Sequence, residues 1–321
     1  MTAILFILGL ILLLGGAELL VRGASKLAAA LGLSPLVIGL TIVAFGTSSP
    51  EFSVSLKTVL SGQADVAAGN VIGSNIFNIL FILGLSAFIT PLNVQEKLVR
   101  YDVPFMIVLS GLVWLFSYNL VVGRFEGLFL FSLLIFYIIL LIYFGRKKKN
   151  VSNGFEVSVD GGINKMSFKD LFRDLAFIAV GLTMLIYGSG WFVDGAITAA
   201  RILGVSELII GLTIVAAGTS LPEVFTSVIA AFRGERDIAV GNVVGSNVFN
   251  LLGVLGFTAF MLPDGLNISS SLFYFDLPVM GVVALFCLPI FITEKIIDRK
   301  EGAFLLILYV VYVVVLYLLN G

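Results

Sequence analysis

Apolar residues fall in runs of about 20 along the whole chain, and a run of that length matches a helix crossing a hydrocarbon core of about 30 Å. Ten runs can be placed, at about residues 2 to 30, 34 to 60, 65 to 89, 102 to 119, 125 to 145, 171 to 202, 206 to 232, 237 to 262, 272 to 292 and 302 to 319. The pattern predicts an all-α membrane protein of ten transmembrane helices. The first run follows Met1 and Thr2 directly, without a basic stretch before it or an A-x-A site after it. It is therefore expected to stay as a spanning helix.

The second and seventh runs break this pattern in the same way. "GLTIVAFGTSSPE" (39 to 51) and "GLTIVAAGTSLPE" (211 to 223) each place glycines, hydroxyls, a proline and a glutamate inside apolar sequence. Offsetting the chain by 172 residues aligns 39 to 88 with 211 to 260 without a gap, and 28 of those 50 pairs are identical. Upstream, Gly16, Gly23, Gly32 and Ser34 meet Gly188, Gly195, Gly204 and Ser206; downstream, "YDVPFM" (101 to 106) meets "FDLPVM" (275 to 280). Each copy holds five runs, and because five is odd, the second copy must enter the membrane from the opposite side. The predicted architecture is two inverted five-helix repeats, residues 1–145 and 171–321, with broken helices meeting near the midplane.

Charge supplies the orientation. The one long connection, 146–170, opens with "RKKKN" and continues through Asn153, Gly154, Asp160, Gly161 and Gly162, as a polar linker does. If this linker is cytoplasmic, 16 of the 19 Lys and Arg residues lie inside, and only Lys57, Arg124 and Arg201 lie outside. That asymmetry predicts a cell (inner) membrane protein with both termini outside. About 25 residues are too few for a folded regulatory domain in the linker.

Composition narrows the chemistry. The chain is 59% hydrophobic and 12% charged, with a mean hydropathy of +1.12 and no histidine. Imidazole zinc sites, Ser-His catalysis and histidine proton relays are excluded. Cys287, alone in an apolar run, reads as a small buried hydrophobe. Nothing points to a cofactor, to nucleic acid or to an obligate protein partner, and the bilayer is the expected surroundings. Any ion chemistry must use oxygen.

In the repeated motif, Pro50 and Pro222 are expected to free the carbonyls of Gly46 and Gly218, with those glycines easing the bend. Beyond each break, Thr47 and Glu51, like Thr219 and Glu223, share a helix face. The following run carries "GNVIGSNIFN" (69 to 78) or "GNVVGSNVFN" (241 to 250), in which Asn70, Ser74 and Asn78, and Asn242, Ser246 and Asn250, step by four. Carboxylates, hydroxyls, amides and loosened carbonyls suit hard cations such as Ca²⁺ and Na⁺. An unpaired mid-membrane carboxylate costs roughly 2.5 to 3.5 kcal/mol, and no basic residue lies in the same stretch as Glu51 or Glu223.

Plainer accounts fit other residues. Gly69, Gly73, Gly241 and Gly245 suit close helix packing, and the serines and asparagines can bridge helices. Glu18, Arg22 and Asp194 read as paired or snorkelling charges, and Asp102 and Asp276 as helix N-caps.

On "GTSSPE…GNVIGSNIFN" and "GTSLPE…GNVVGSNVFN" the chain closely resembles the cation/calcium exchanger superfamily, in its sodium/calcium exchanger branch with prokaryotic members. The resemblance covers both repeats and nearly all ten runs. It implies ion ligands at Ala44, Thr47, Ser48, Glu51, Ser74 and Asn78, and at Ala216, Thr219, Ser220, Glu223, Ser246 and Asn250, with the alanines acting through backbone carbonyls. It further implies antiport of three Na⁺ for one Ca²⁺, with the first and sixth helices sliding against the other eight. Potassium-dependent relatives carry aspartate where this chain has Asn250, which argues against K⁺ co-transport. The residues themselves leave open a proton-driven Ca²⁺ or Na⁺ antiporter of the same superfamily, because two protons neutralise two glutamates as one Ca²⁺ does.

Overall fold

A computed structural model of the chain describes residues 2–151, 168–203 and 216–320. The long helices are α1 (Thr2–Leu31), α2 (Pro35–Thr47), α3 (Ser49–Leu60), α4 (Ala64–Ile89), α5 (Leu98–Phe116), α6 (Arg124–Val151), α7 (Phe168–Ile202), α8 (Leu221–Phe232), α9 (Arg236–Met261), α10 (Leu272–Ile292) and α11 (Arg299–Asn320). Eight of them are long and apolar enough to cross a membrane, and α2 with α3 forms a ninth span bent by 42°. The seventh predicted run lies partly outside the described residues; Ala216–Gly218 and α8 are its described part.

Helix ends fall within a few residues of the predicted ones, except at α6. It continues through "RKKKN" to Val151, a stretch whose Lys and Arg have high helix propensity. The rest of the predicted linker up to residue 167 lies outside the described residues.

The outer helices turn apolar side chains outward. On α1, Ile4, Ile7, Ile11 and Leu14 form an exposed stripe at helical spacing, while Leu13, Ala17, Leu20 and Ala24 are buried. Such a surface is stable against lipid tails rather than water. By contrast α9 is buried without interruption from Ile238 to Gly256, at the centre of the bundle.

Small residues set the close crossings. Helices α1 and α7 run antiparallel through Gly9, Gly16 and Gly23 on one side and Gly181, Gly188 and Gly195 on the other. A Cβ at Gly9 would sit 2.6 Å from the backbone nitrogen of Phe192, and one at Gly16 would sit 2.8 Å from the carbonyl of Gly181. Contacts across the two repeats come in reciprocal pairs. Gly84 of α4 meets Gly302 of α11, and Gly127 of α6 meets Gly256 of α9. Likewise Leu92–Asn93 pairs antiparallel with Ile296–Ile297, and Val121–Val122 with Leu266–Asn267.

The tight turns after α3 and α8 also match. Gly62 and Gly234, 172 positions apart, adopt φ of 77° and 78°, a left-handed conformation that glycine reaches without steric cost.

The glycines of the second motif divide. A Cβ at Gly245 would lie 2.7 Å from the Cα of Leu40, so Gly241 and Gly245 do let α9 press on α2. Among the described residues nothing lies within 4 Å of a Cβ at Gly73. The stretch matching Leu36–Ala44, residues 208–216, is almost entirely outside them.

Candidate cation-binding site

The chain breaks at a serine in each repeat. Ser48, with φ −81° and ψ 7°, ends α2, and Ser220, with φ −89° and ψ 7°, precedes α8. Each proline sits within the first turn of the following helix, where its missing N–H is no loss. The break therefore lies two residues before the proline, earlier than a proline-centred bend would place it. Gly46 and Gly218 prove to be contact points: a Cβ would lie 2.6 Å from the Leu182 side chain in the first case and 2.7 Å from that of Val193 in the second. Both neighbours belong to α7.

Each break aims its glutamate at the other repeat. Glu51 and Glu223 are 1% exposed. The Ser220 hydroxyl donates to Glu51 Oε1 at 2.8 Å, and the Ser48 hydroxyl donates to Glu223 Oε1 at 2.8 Å. Ser220 also lies 3.3 Å from the Ser74 hydroxyl. Thr219 lies beside Glu51, and Thr47 and Ser246 lie beside Glu223.

Among the described residues, six buried oxygens have no hydrogen-bond partner: Glu51 Oε2, Glu223 Oε2, Thr219 Oγ1 and Ser246 Oγ at the crossed pair, and Asn78 Oδ1 and Asn250 Oδ1 where α4 and α9 cross. A buried acceptor without a donor is costly in an apolar interior, so this set is prepared for a ligand that supplies positive charge. Oxygen-only donors with two formal charges fit a hard cation. Among the described residues no group of three or more Asp, Glu, His or Cys side chains is placed to hold a metal ion. The charge of the site thus rests on Glu51 and Glu223.

The remaining predicted residues sort themselves by contact. Ala44 offers a carbonyl that already accepts the Ser48 N–H at 3.0 Å and the Thr47 hydroxyl at 3.4 Å. Ala216 opens the short helix Ala216–Gly218. Asn70 and Asn242 act as braces: their amides donate to Ser55 and Ser227 at 3.0 Å, and more weakly to the carbonyls of Glu51 and Glu223. Asn242 also accepts from Thr47 at 3.0 Å.

Two expectations need correction. Asp102 and Asp276 make no side-chain cap; each accepts a tyrosine hydroxyl instead, Tyr137 at 3.1 Å and Tyr312 at 2.7 Å. Both aspartates end π-helical turns that run straight on as α-helix, so each lies inside a continuous helix rather than at a free N-terminus. Glu18 does pair with Arg22, as expected, and additionally with Arg233 at the end of α8. Asn75 and Asn247 lie off the i, i+4 stripe of each motif, although they are among the identical positions of the two repeats.

A buried, oxygen-lined, two-carboxylate centre between reciprocal halves of a polytopic helical protein defines a secondary transporter of cations. The family described as sodium/calcium exchanger protein matches residues 1–143 and 174–318, and the chain belongs to that family, one of transporters rather than enzymes. It is 34% identical to the putative antiporter CaxA of Alkalimonas amylolytica over 97% of this chain and 98% of that protein. It is 32% identical to the sodium/calcium exchanger MaX1 of Methanosarcina acetivorans, over 98% of each. Its fold matches the sodium-calcium exchanger NCX_Mj, in a form soaked with Na⁺ and no Ca²⁺, with a TM-score of 0.83 and 29% identity over 98% of both chains. Cation antiport follows from the family.

Proposed function

We propose that this chain exchanges Na⁺ for Ca²⁺ by alternating access, moving three Na⁺ per Ca²⁺ and needing no K⁺. The observation that carries the reading is the crossed pair of glutamates, each held through one oxygen by the other repeat's serine and presenting the other oxygen without a partner among the described residues. Two carboxylates balance one Ca²⁺. Asn78, Asn250, Thr219 and Ser246 add neutral oxygens, while Thr47, Ser48, Ser74, Ser220, Ala44 and Ala216 complete the proposed set. Na⁺ can use the flanking oxygens once Ca²⁺ has left.

The architecture behind this reading is ten spans in two inverted repeats, 1–145 and 171–321, joined by a cytoplasmic linker, with both termini outside in the cell membrane. The reciprocal glycine and strand contacts support the inversion. The glycine-lined crossing of α1 and α7 supports those two helices moving as a unit.

The decisive experiment is uptake of radioactive calcium into proteoliposomes with Na⁺, K⁺ and H⁺ gradients imposed one at a time. An outward Na⁺ gradient alone should drive uptake. Uptake driven by a proton gradient alone would replace this reading with a proton-coupled antiporter.

A further inference from the structure

Between α4 and α9 the two repeats are joined by four asparagines. Asn75 donates through Nδ2 to the carbonyl of Asn247 at 3.3 Å and to the sulfur of Met280 at 3.8 Å. Asn247 returns the contact, donating to the carbonyl of Asn75 at 3.4 Å and to the sulfur of Met106 at 3.6 Å. With their N–H groups directed at acceptors, the oxygens of both amides face the other way. There Asn247 Oδ1 accepts from Asn78 Nδ2 at 2.9 Å, and Asn75 Oδ1 accepts from Asn250 Nδ2 at 3.1 Å. All four asparagines are 1% exposed.

The consequence follows from the inventory of a carboxamide, which has a donor end and an acceptor end. Once Asn78 and Asn250 have their N–H₂ groups engaged by Asn247 and Asn75, their oxygens are turned away from those partners, and among the described residues both oxygens are unpartnered. Turned over, either amide would offer N–H groups toward the site. It would then donate to a carboxylate and compete with a cation for it.

We propose that Asn75 and Asn247 are positioning residues that hold Asn78 and Asn250 oxygen-inward, each acting on the amide donated from the opposite repeat. Met106 and Met280, the last residues of the matched "YDVPFM" and "FDLPVM" stretches, complete the device by accepting the remaining N–H, which leucine could not do. This inference rests on the reading of Asn78 and Asn250 as cation ligands.

The test is a set of double-mutant cycles on the purified full chain, reading equilibrium Ca²⁺ binding in Na⁺-free buffer. Asn247→Ala should weaken Ca²⁺ binding by about tenfold, equivalent to ~1.4 kcal/mol. The same substitution in an Asn250→Ala background should cost as much, but in an Asn78→Ala background it should cost less than about twofold. Equal weakening in all three backgrounds would mark Asn247 as a general packing residue and overturn the proposal, as would unchanged binding in the single variant. If Asn78→Ala itself binds Ca²⁺ normally, the ligand reading fails first, and that result is read independently. Should Asn247→Ala not fold, Met106→Leu keeps the volume and removes only the acceptor. Its expected cost, about twofold, should vanish without Asn78, and a cost independent of Asn78 would again overturn the proposal.

Discussion

The Ser220 hydroxyl lies 2.8 Å from Glu51 Oε1, across 169 positions of sequence and across the boundary between the two repeats. With the mirror contact from Ser48 to Glu223, it makes the two carboxylates a single electrostatic unit. Glu51→Gln or Glu223→Gln should therefore abolish calcium exchange, since either leaves Ca²⁺ with one formal charge. Proteoliposome uptake together with a size-exclusion profile of the purified variant checks it. Normal flux in either variant would remove the glutamates from the site.

Potassium should be dispensable. Asn250 contributes a neutral amide, so the proposed centre has no third carboxylate to bind a further monovalent ion. Calcium flux in K⁺-free medium should equal flux with K⁺ on both sides. A strict K⁺ requirement would mean a carboxylate elsewhere takes that part.

The cycle should respond to voltage. With Ca²⁺ bound, the two-carboxylate centre is neutral; with three Na⁺ it carries +1, so each turnover moves net charge. One elementary charge across 100 mV is worth roughly 2.3 kcal/mol, and a decade of concentration about 1.4 kcal/mol. A valinomycin-set potential of about 100 mV should thus shift the reversal calcium ratio by more than tenfold. Indifference to voltage would point to two monovalent ions per Ca²⁺.

The Asp102–Tyr137 contact, which replaced the expected cap, should matter for stability and little for ion selection. Tyr137→Phe leaves the buried carboxyl of Asp102 without its hydroxyl donor, a loss of about 1 to 3 kcal/mol. The thermal midpoint in detergent should fall, with the calcium concentration for half-maximal uptake unchanged. A selective change in that concentration would place Asp102 on the ion path.

Bulk at the α1–α7 crossing should arrest transport. A Cβ at Gly188 would stand 3.0 Å from the Gly9 carbonyl, inside normal contact distance, so Gly188→Val forces the helices apart. Calcium uptake should be lost while Ca²⁺ binding to the solubilised protein survives. Wild-type uptake would show that this crossing does not have to stay close.

Much of this was legible in the chain because hydrophobic run length and self-similarity are strong signals. The spans and the presence of a break within each motif follow from run length and from residues repeated 172 positions apart, whereas the position of the break, at Ser48 and Ser220, does not. What stayed hidden depends on partners that spacing does not encode. Asn75 sits one residue after Ser74, off the i, i+4 stripe of Asn70, Ser74 and Asn78, and its importance emerges only when α4 and α9 cross. Gly46 looked like an aid to bending, yet the side chain of Leu182 is what requires it. Asp102 sits where a cap is expected, but it lies at the end of a π-helical turn within a continuous helix and accepts from Tyr137 instead.

The two short strand pairs have a consequence for how the polypeptide can be cut. Leu92–Asn93 with Ile296–Ile297, and Val121–Val122 with Leu266–Asn267, each tie a loop of one half to a loop of the other. Between them, Gly84 lies against Gly302 and Gly127 against Gly256. The halves are interlaced like the fingers of two hands, through contacts that do not need a covalent tether. Two separate messages, one ending after the basic stretch and one beginning before Phe168, should therefore give fragments that find each other in the membrane and copurify as a working whole.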